Sequence, residues 1–346
     1  MKIKNRFNLF SLPCLALMFS ASAAIAGTEE MKVPAPVVKA PDWLKVSGYA
    51  AASYYYTDVE NGDRGDTLFH TGTPLDAVKL NLEATQGAFS AYASLFYSPN
   101  SDANSFAGGT EAGILDAYVS YTAGAFKITG GKYLSYMGYE AFDTVNMSQL
   151  TYANSTTGGV PAYHTGAKVD YLTEVFGVGL SISDSIRGPS FWEGDSEFNN
   201  GLGYEAYVVY KGISKLTLWG GVAYDDSDNT PDFSSYDFWA SYDITDKLTV
   251  AGEVIYSNNT LSGADSACGG LAFVKYKFTE QFSLVGRFGI DEVESTGPGV
   301  VAPDNYKYTI SPTYAFNEHF LLRAEVSYVD SVNDVFFTGV QALLKF

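Results

Sequence analysis

The chain of 346 residues is 46 % hydrophobic and 15 % aromatic, and its 39 Asp+Glu against 21 Lys+Arg give a formal charge of −18. An acid excess of this size excludes nucleic acid as a partner, because the phosphates would be repelled. After the N-terminal segment no apolar run approaches the ~18 residues of a membrane helix, yet a mean hydropathy of −0.03 in so aromatic a chain suits a membrane β-barrel, whose strands divide between lipid and water.

The N-terminus sets Lys2, Lys4 and Arg6 before an apolar run from Phe7 to Phe19 and the triplet Ala24-Ile25-Ala26. This pattern predicts a signal peptide over 1–26, cut before Gly27. Cys14 follows Leu12-Pro13 rather than the small residues of a lipoprotein site. Losing three basic residues leaves 18 Lys+Arg against 39 Asp+Glu, a mature charge of −21. Cys268 is then alone, so no intramolecular disulfide can form. Residues 27–42, with Pro34, Pro36 and Pro41, read as an extended periplasmic lead-in.

From Trp43 onward apolar and polar residues alternate in blocks close to the ~9–11 residues of a tilted membrane strand. The blocks are 43–57, 76–85, 87–98, 110–122, 125–133, 163–172, 175–184, 202–211, 214–225, 235–243, 246–257, 269–279, 282–293, 306–316, 319–330 and 334–346. They predict an all-β fold over 43–346, a single transmembrane antiparallel barrel of sixteen strands. Tight turns such as Gln86-Gly87, Ala123-Gly124 and Asn317-Glu318 alternate with long polar stretches such as 58–75, 134–162 and 185–201. Short periplasmic turns, long outer loops and an even strand count are the signature of a bacterial barrel. A soluble sandwich has no reason to sort its loops by length.

Phase assigns the faces. Val78, Leu80, Leu82 and Ala84 face lipid, as do Leu322, Ala324, Val326 and Tyr328, while tyrosines near the strand ends, Tyr97 and Tyr256 among them, form aromatic girdles. The opposite phase carries Lys79, Glu83, Asp116, Lys168, Asp170, Glu205, Lys211, Asp237, Glu253, Lys275, Lys277, Arg287, Lys307, Arg323 and Glu325. A Lys or Arg on the lipid face costs about 2–4 kcal/mol at the midplane, so these charges face the lumen. There they either set a transverse field or brace the wall. The last block places Phe336, Val340, Ala342, Leu344 and Phe346 on one face; an alternating strand ending in Phe346 is the segment that barrel-assembly machinery reads.

The longest connection, 134–162, is the third outer loop. Its apolar content predicts packing inside the barrel, with Glu140 and Asp143 as constriction acids. Here a resemblance becomes specific. The stretches GKYLSYMGYE (131–140) and PAYHTG (161–166), with Asn146 and Ser148 between them and LDAYVSYTAGAFKITGGK (115–132) before them, resemble the OmpL-like β-barrel porin family. The resemblance implies passive diffusion of small solutes and names no substrate.

Asp226, Asp228 and Asp232 are weak Ca²⁺ candidates, since YDDSDNTPD lacks the glycine and distal glutamate of an EF-hand loop; no metal or other cofactor is expected. His70, His164 and His319 form no catalytic pattern, so no enzyme is expected either. The sequence therefore predicts a cation-leaning outer-membrane porin, in contact with lipids and lipopolysaccharide and able to form a homo-oligomer. The alternative is a non-conducting barrel with an adhesive or envelope-structural role.

Overall fold

The computed structural model describes residues 41–60, 64–68, 77–98, 112–153, 160–186, 201–227, 231–260, 265–294 and 304–346. The expected signal peptide, the lead-in up to residue 40, His70 and Asp228 lie outside the described residues. Seventeen strands form one sheet: β1 (Leu44–Val59), β2 (Arg64–Leu68), β3 (Ala77–Gln86), β4 (Phe89–Tyr97), β5 (Ala112–Ala123), β6 (Phe126–Leu134), β7 (Tyr163–Leu172), β8 (Phe176–Ser183) and β9 (Gly201–Tyr210) make up its first part. The remainder are β10 (Leu216–Ser227), β11 (Phe233–Asp243), β12 (Leu248–Asn258), β13 (Ser266–Lys277), β14 (Phe282–Glu294), β15 (Asn305–Ala315), β16 (Phe320–Asp330) and β17 (Val335–Lys345).

Each wall strand pairs antiparallel with the next, and β17 pairs back onto β1 from Tyr49↔Lys345 to Val59↔Val335, closing the barrel. Closure leaves no open sheet edge in the bilayer, where an unpaired backbone group costs several kcal/mol. The wall has sixteen strands. β2 is additional: it extends the position of β3 upward, pairing with Tyr54–Asp58 of β1, while β3 pairs with Leu44–Ala51. Its five residues, RGDTL, carry no run of alternation, and the sequence therefore reads them as outer loop.

Exposure follows the predicted phase. Val78, Val119, Phe238, Val254, Ile310 and Val326 stand exposed on the outer face, whereas Lys79, Glu253, Arg287, Arg323 and Glu325 are buried on the inner one. One irregularity interrupts the alternation. Between β4 and β5 the register slips from Ala93↔Ala117 to Leu95↔Ile114, so Leu115 and Asp116 together oppose Ser94. This bulge leaves both side chains buried, with Asp116 accepting a 2.7 Å hydrogen bond from the Ser94 hydroxyl.

The closing seam ends in a reciprocal backbone pair, Gly48 N–H to Phe346 O and Phe346 N–H to Gly48 O, both 3.0 Å. A Cβ on Gly48 would collide with the Lys79 carbonyl oxygen and stand 2.9 Å from the Phe346 ring. The terminal aromatic is thus seated over a position with no side chain.

Candidate functional site

Between β6 and β7 the chain turns into the barrel. Gly138 adopts φ +97°, a left-handed backbone that costs an L side chain energy. From there the segment 135–153 crosses the interior, and Met137, Thr144, Met147, Gln149, Leu150 and Ala153 are buried.

Irregular backbone at membrane depth must find partners in protein or lumenal water, and the charged residues of the wall supply many of them. Carboxylates take the loop's N–H groups. Glu205 accepts from Tyr136 (3.2 Å), Asp237 from Gly138 (2.8 Å), Glu253 from Tyr139 (2.5 Å), and Glu325 from Leu150 (2.6 Å) and Thr151 (3.0 Å). Bases take its carbonyls. Arg323 donates to Gln149 O at 3.0 Å, Arg287 to Thr151 O at 2.7 Å, and Lys307 to Tyr152 O at 2.8 Å. Lys275 reaches the Ser148 hydroxyl at 3.2 Å.

The two signs are concentrated in different arcs, although the acids Asp291 and Glu325 lie on β14 and β16 among the bases. Glu205, Asp225, Asp237 and Glu253 lie on β9 to β12, and Lys275, Arg287, Lys307 and Arg323 on β13 to β16. The loop spans both arcs and adds its own acids. Glu140 pairs with Arg287, their side chains 2 % and 0 % exposed, and also accepts from the Gln149 amide and from Ala153 N–H. Asp143 holds Lys79, whose Nζ is 2.9 Å from both carboxylate oxygens and 3.4 Å from Asp116; the Asp143 side chain stays 27 % exposed.

Apolar packing completes the seating. Phe142 and Val145 lie against a cluster of Tyr49, Ala51, Ala77, Phe96, Leu115, Tyr163 and Leu343. Met137 and Val160 join Trp219, Phe233 and Ile255, and Ala153 meets Leu271, Phe273 and Val285.

The other predicted residues fall as follows. Lys168 lies over the rings of Tyr133 and Tyr136, at 4.4 and 4.6 Å, and Asp170 accepts from the Tyr136 and Tyr207 hydroxyls at 2.9 and 3.1 Å. Glu83, half-buried on β3, lies directly opposite Tyr92 and Lys45. Lys211 does not join the lumenal charges: it follows the last residue of β9 and is exposed at the short-turn rim. Asp226 is exposed near the end of β10, and Asp232 accepts from the Tyr224 hydroxyl at 2.8 Å. No group of three or more His, Cys, Asp or Glu gathers as a metal site among the described residues. His164 is buried with its Nε2 3.2 Å from Glu205, and His319 lies exposed in a short turn, bonded to the Lys345 carbonyl. Tyr207, Trp219 and Trp239 also face the lumen, and their sharing the inward phase of Glu205 and Asp237 is the sequence signal that places them there.

A closed antiparallel barrel with an apolar outer face, a charged inner one and an inserted third loop defines the class of outer-membrane channels and porins. The chain belongs to the family described as Putative beta-barrel porin-2, OmpL-like, whose model matches residues 43–342. It is therefore a β-barrel of the bacterial outer membrane. Solved structures with the same fold include the outer membrane channel DcaP of Acinetobacter baumannii, at TM-score 0.64 and 12 % identity over 88 % of this chain and 97 % of that one. The anion-selective porin from Comamonas acidovorans aligns at 0.63 and 12 % over 88 % and 99 %. The trimer form of OmpT, an outer membrane protein of Vibrio cholerae, aligns at 0.57 and 12 % over 88 % and 100 %. No curated protein sequence matches the chain.

Proposed function

We propose that the protein is a porin for passive diffusion of small hydrophilic solutes and ions, with residues 135–153 forming its constriction. The observation that carries this reading is the loop's attachment to both charged arcs of the inner wall, which fixes how much of the lumen it fills. A partly open pocket of about 400 Å³ is lined by Val145 of the loop together with Ser47, Tyr49, Asn81, His319 and Phe346 of the short-turn end. Residues 1–26 direct the chain out of the cytoplasm, and the barrel assembles as a homo-oligomer. Swelling of liposomes carrying the protein, in a series of neutral solutes of graded size, tests permeation. The reading predicts rapid swelling for the smallest and a sharp size cutoff.

The barrel leans toward cations. An anion-selective porin shares the fold, so side chains and not architecture set the sign. In this chain Asp143, although paired with Lys79, is the loop acid that keeps solvent contact, whereas Glu140 is buried against Arg287. An Asp143→Asn variant should shift the reversal potential in a KCl gradient toward anions, and an unmoved potential would assign selectivity to other charges.

Phe346 serves as the terminal residue of the assembly signal. Phe346→Ser should lower outer-membrane levels severalfold while refolding in detergent stays near normal; equal outer-membrane levels would contradict this role.

A second reading has one observation in its favour. Much of the inner wall is covered, with Glu325, Ser311 and Gln341 at 0 % exposure, as a non-conducting barrel with an adhesive or envelope role would allow. Liposomes that fail to swell at any solute size would select it.

A further inference from the structure

The inner wall holds an ordered set of aromatic rings, part of which packs against the loop. In register across the sheet, Asp170, Gly179, Tyr207, Gly221 and Asp237 form one inward row from β7 to β11. The adjacent row toward the short turns contains Trp219 directly opposite Trp239. The glycines explain how the rings lie. A Cβ on Gly179 would collide with the Tyr207 ring, and one on Gly221 with the indole of Trp219. Each ring is therefore laid over the wall, across a position that has no side chain.

The rings are nearly parallel. Tyr207 and Trp219 are 6.1 Å apart at 11°, and Trp219 and Trp239 are 5.9 Å apart at 6°. The loop extends the set at both ends, with Tyr136 4.5 Å from Tyr207 and Tyr139 5.5 Å from Trp239. Trp219 is covered by its neighbours, but Tyr136, Tyr139, Tyr207 and Trp239 each keep part of their surface exposed.

Polar groups flank this platform. Asp170 stands at one end of the glycine-tyrosine row, holding the Tyr136 and Tyr207 hydroxyls. At the other end Asp237 uses one oxygen for Gly138 N–H, while its Oδ1 and the neighbouring Trp239 Nε1 are buried with no protein partner. Unsatisfied buried groups of this kind cost free energy. Hydroxyl groups suit such a donor and acceptor on one strand face, since a hydroxyl can accept from an indole N–H and donate to a carboxylate. A cation would satisfy the carboxylate and leave the indole donor unpaired. The flat C–H face of a pyranose, laid on the rings, brings hydroxyls around its edge.

We infer that this aromatic row is a binding site for a neutral saccharide on the inner wall beside the constricting loop. The inference deepens the porin reading by naming a solute class, and it is tested without relying on conduction. Tryptophan fluorescence of the purified full-length protein in detergent is titrated with cellotriose, with a polyethylene glycol of equal hydrodynamic size, and with benzylammonium. Saturable quenching by cellotriose alone is expected. Tyr207→Leu and Trp239→Leu, each checked for the heat-dependent gel mobility of a folded barrel, should weaken it about tenfold, and Trp239→Phe should weaken it less. Equal responses to the sugar and the glycol, preference for benzylammonium, or wild-type affinity in the leucine variant that folds would overturn the assignment. Saccharide binding in a barrel that passes no ions would leave this site standing and remove the porin reading instead.

Discussion

Excising residues 139–153 and bridging the gap with a short Gly-Ser linker should raise single-channel conductance severalfold while leaving the barrel folded. The wall does not depend on the loop for its backbone hydrogen bonds, because every wall strand is paired on both sides. The loop does depend on the wall, which supplies carboxylates for its N–H groups and bases for its carbonyls. Removing it exposes Glu253, Arg287, Lys307, Arg323 and Glu325 to lumenal water, where each is cheaply solvated. A truncated barrel that keeps its heat-dependent gel mobility yet conducts no more than the parent would place the constriction elsewhere.

Glu140→Ala should produce the largest effect of any single substitution in the loop. Arg287 would lose its carboxylate while its side chain stays 0 % exposed, and breaking one half of such a buried pair costs about 3–5 kcal/mol. The Gln149 amide and Ala153 N–H would lose an acceptor at the same stroke. The barrel can avoid most of that cost by releasing the loop, so the expected readouts are noisy, fluctuating conductance and faster protease cleavage within 139–153. The double variant Glu140→Leu/Arg287→Met should recover much of the quiet behaviour, since a buried ion pair is often replaceable by apolar groups of similar volume. Conductance and cleavage rates unchanged in Glu140→Ala would mean that this pair does not anchor the loop.

The wall was legible in the sequence because one physical constraint acts on every strand: lipid on one face and a polar lumen on the other impose a period of two. Strand β17, with Phe336, Val340, Ala342 and Leu344 on one face, shows the pattern plainly. Where that constraint lapses, so does legibility. Strand β2 is too short to show alternation, and the bulge at Leu115 and Asp116 buries two consecutive residues that a strict period would send to opposite faces. The inserted loop was legible in outline, from its length and its Met, Phe, Leu and Tyr content. Its attachments were not. Glu140 meets Arg287 147 positions away, and Leu150 meets Glu325 175 positions away; such pairs follow from barrel closure and leave no local spacing to read. For the same reason Glu140 looked equivalent to Asp143 in sequence, although the structure buries one against a guanidinium and leaves the other in contact with solvent. Trp219 and Trp239 are ordinary strand aromatics until the β10–β11 register sets them side by side.

Single-channel recording of the purified protein in planar bilayers, under a KCl gradient, tests the central claim most directly. A porin constricted by its third loop predicts discrete, reproducible conductance steps and a reversal potential displaced toward that of K⁺. Folded protein that inserts into the bilayer and passes no current at any applied voltage would contradict it.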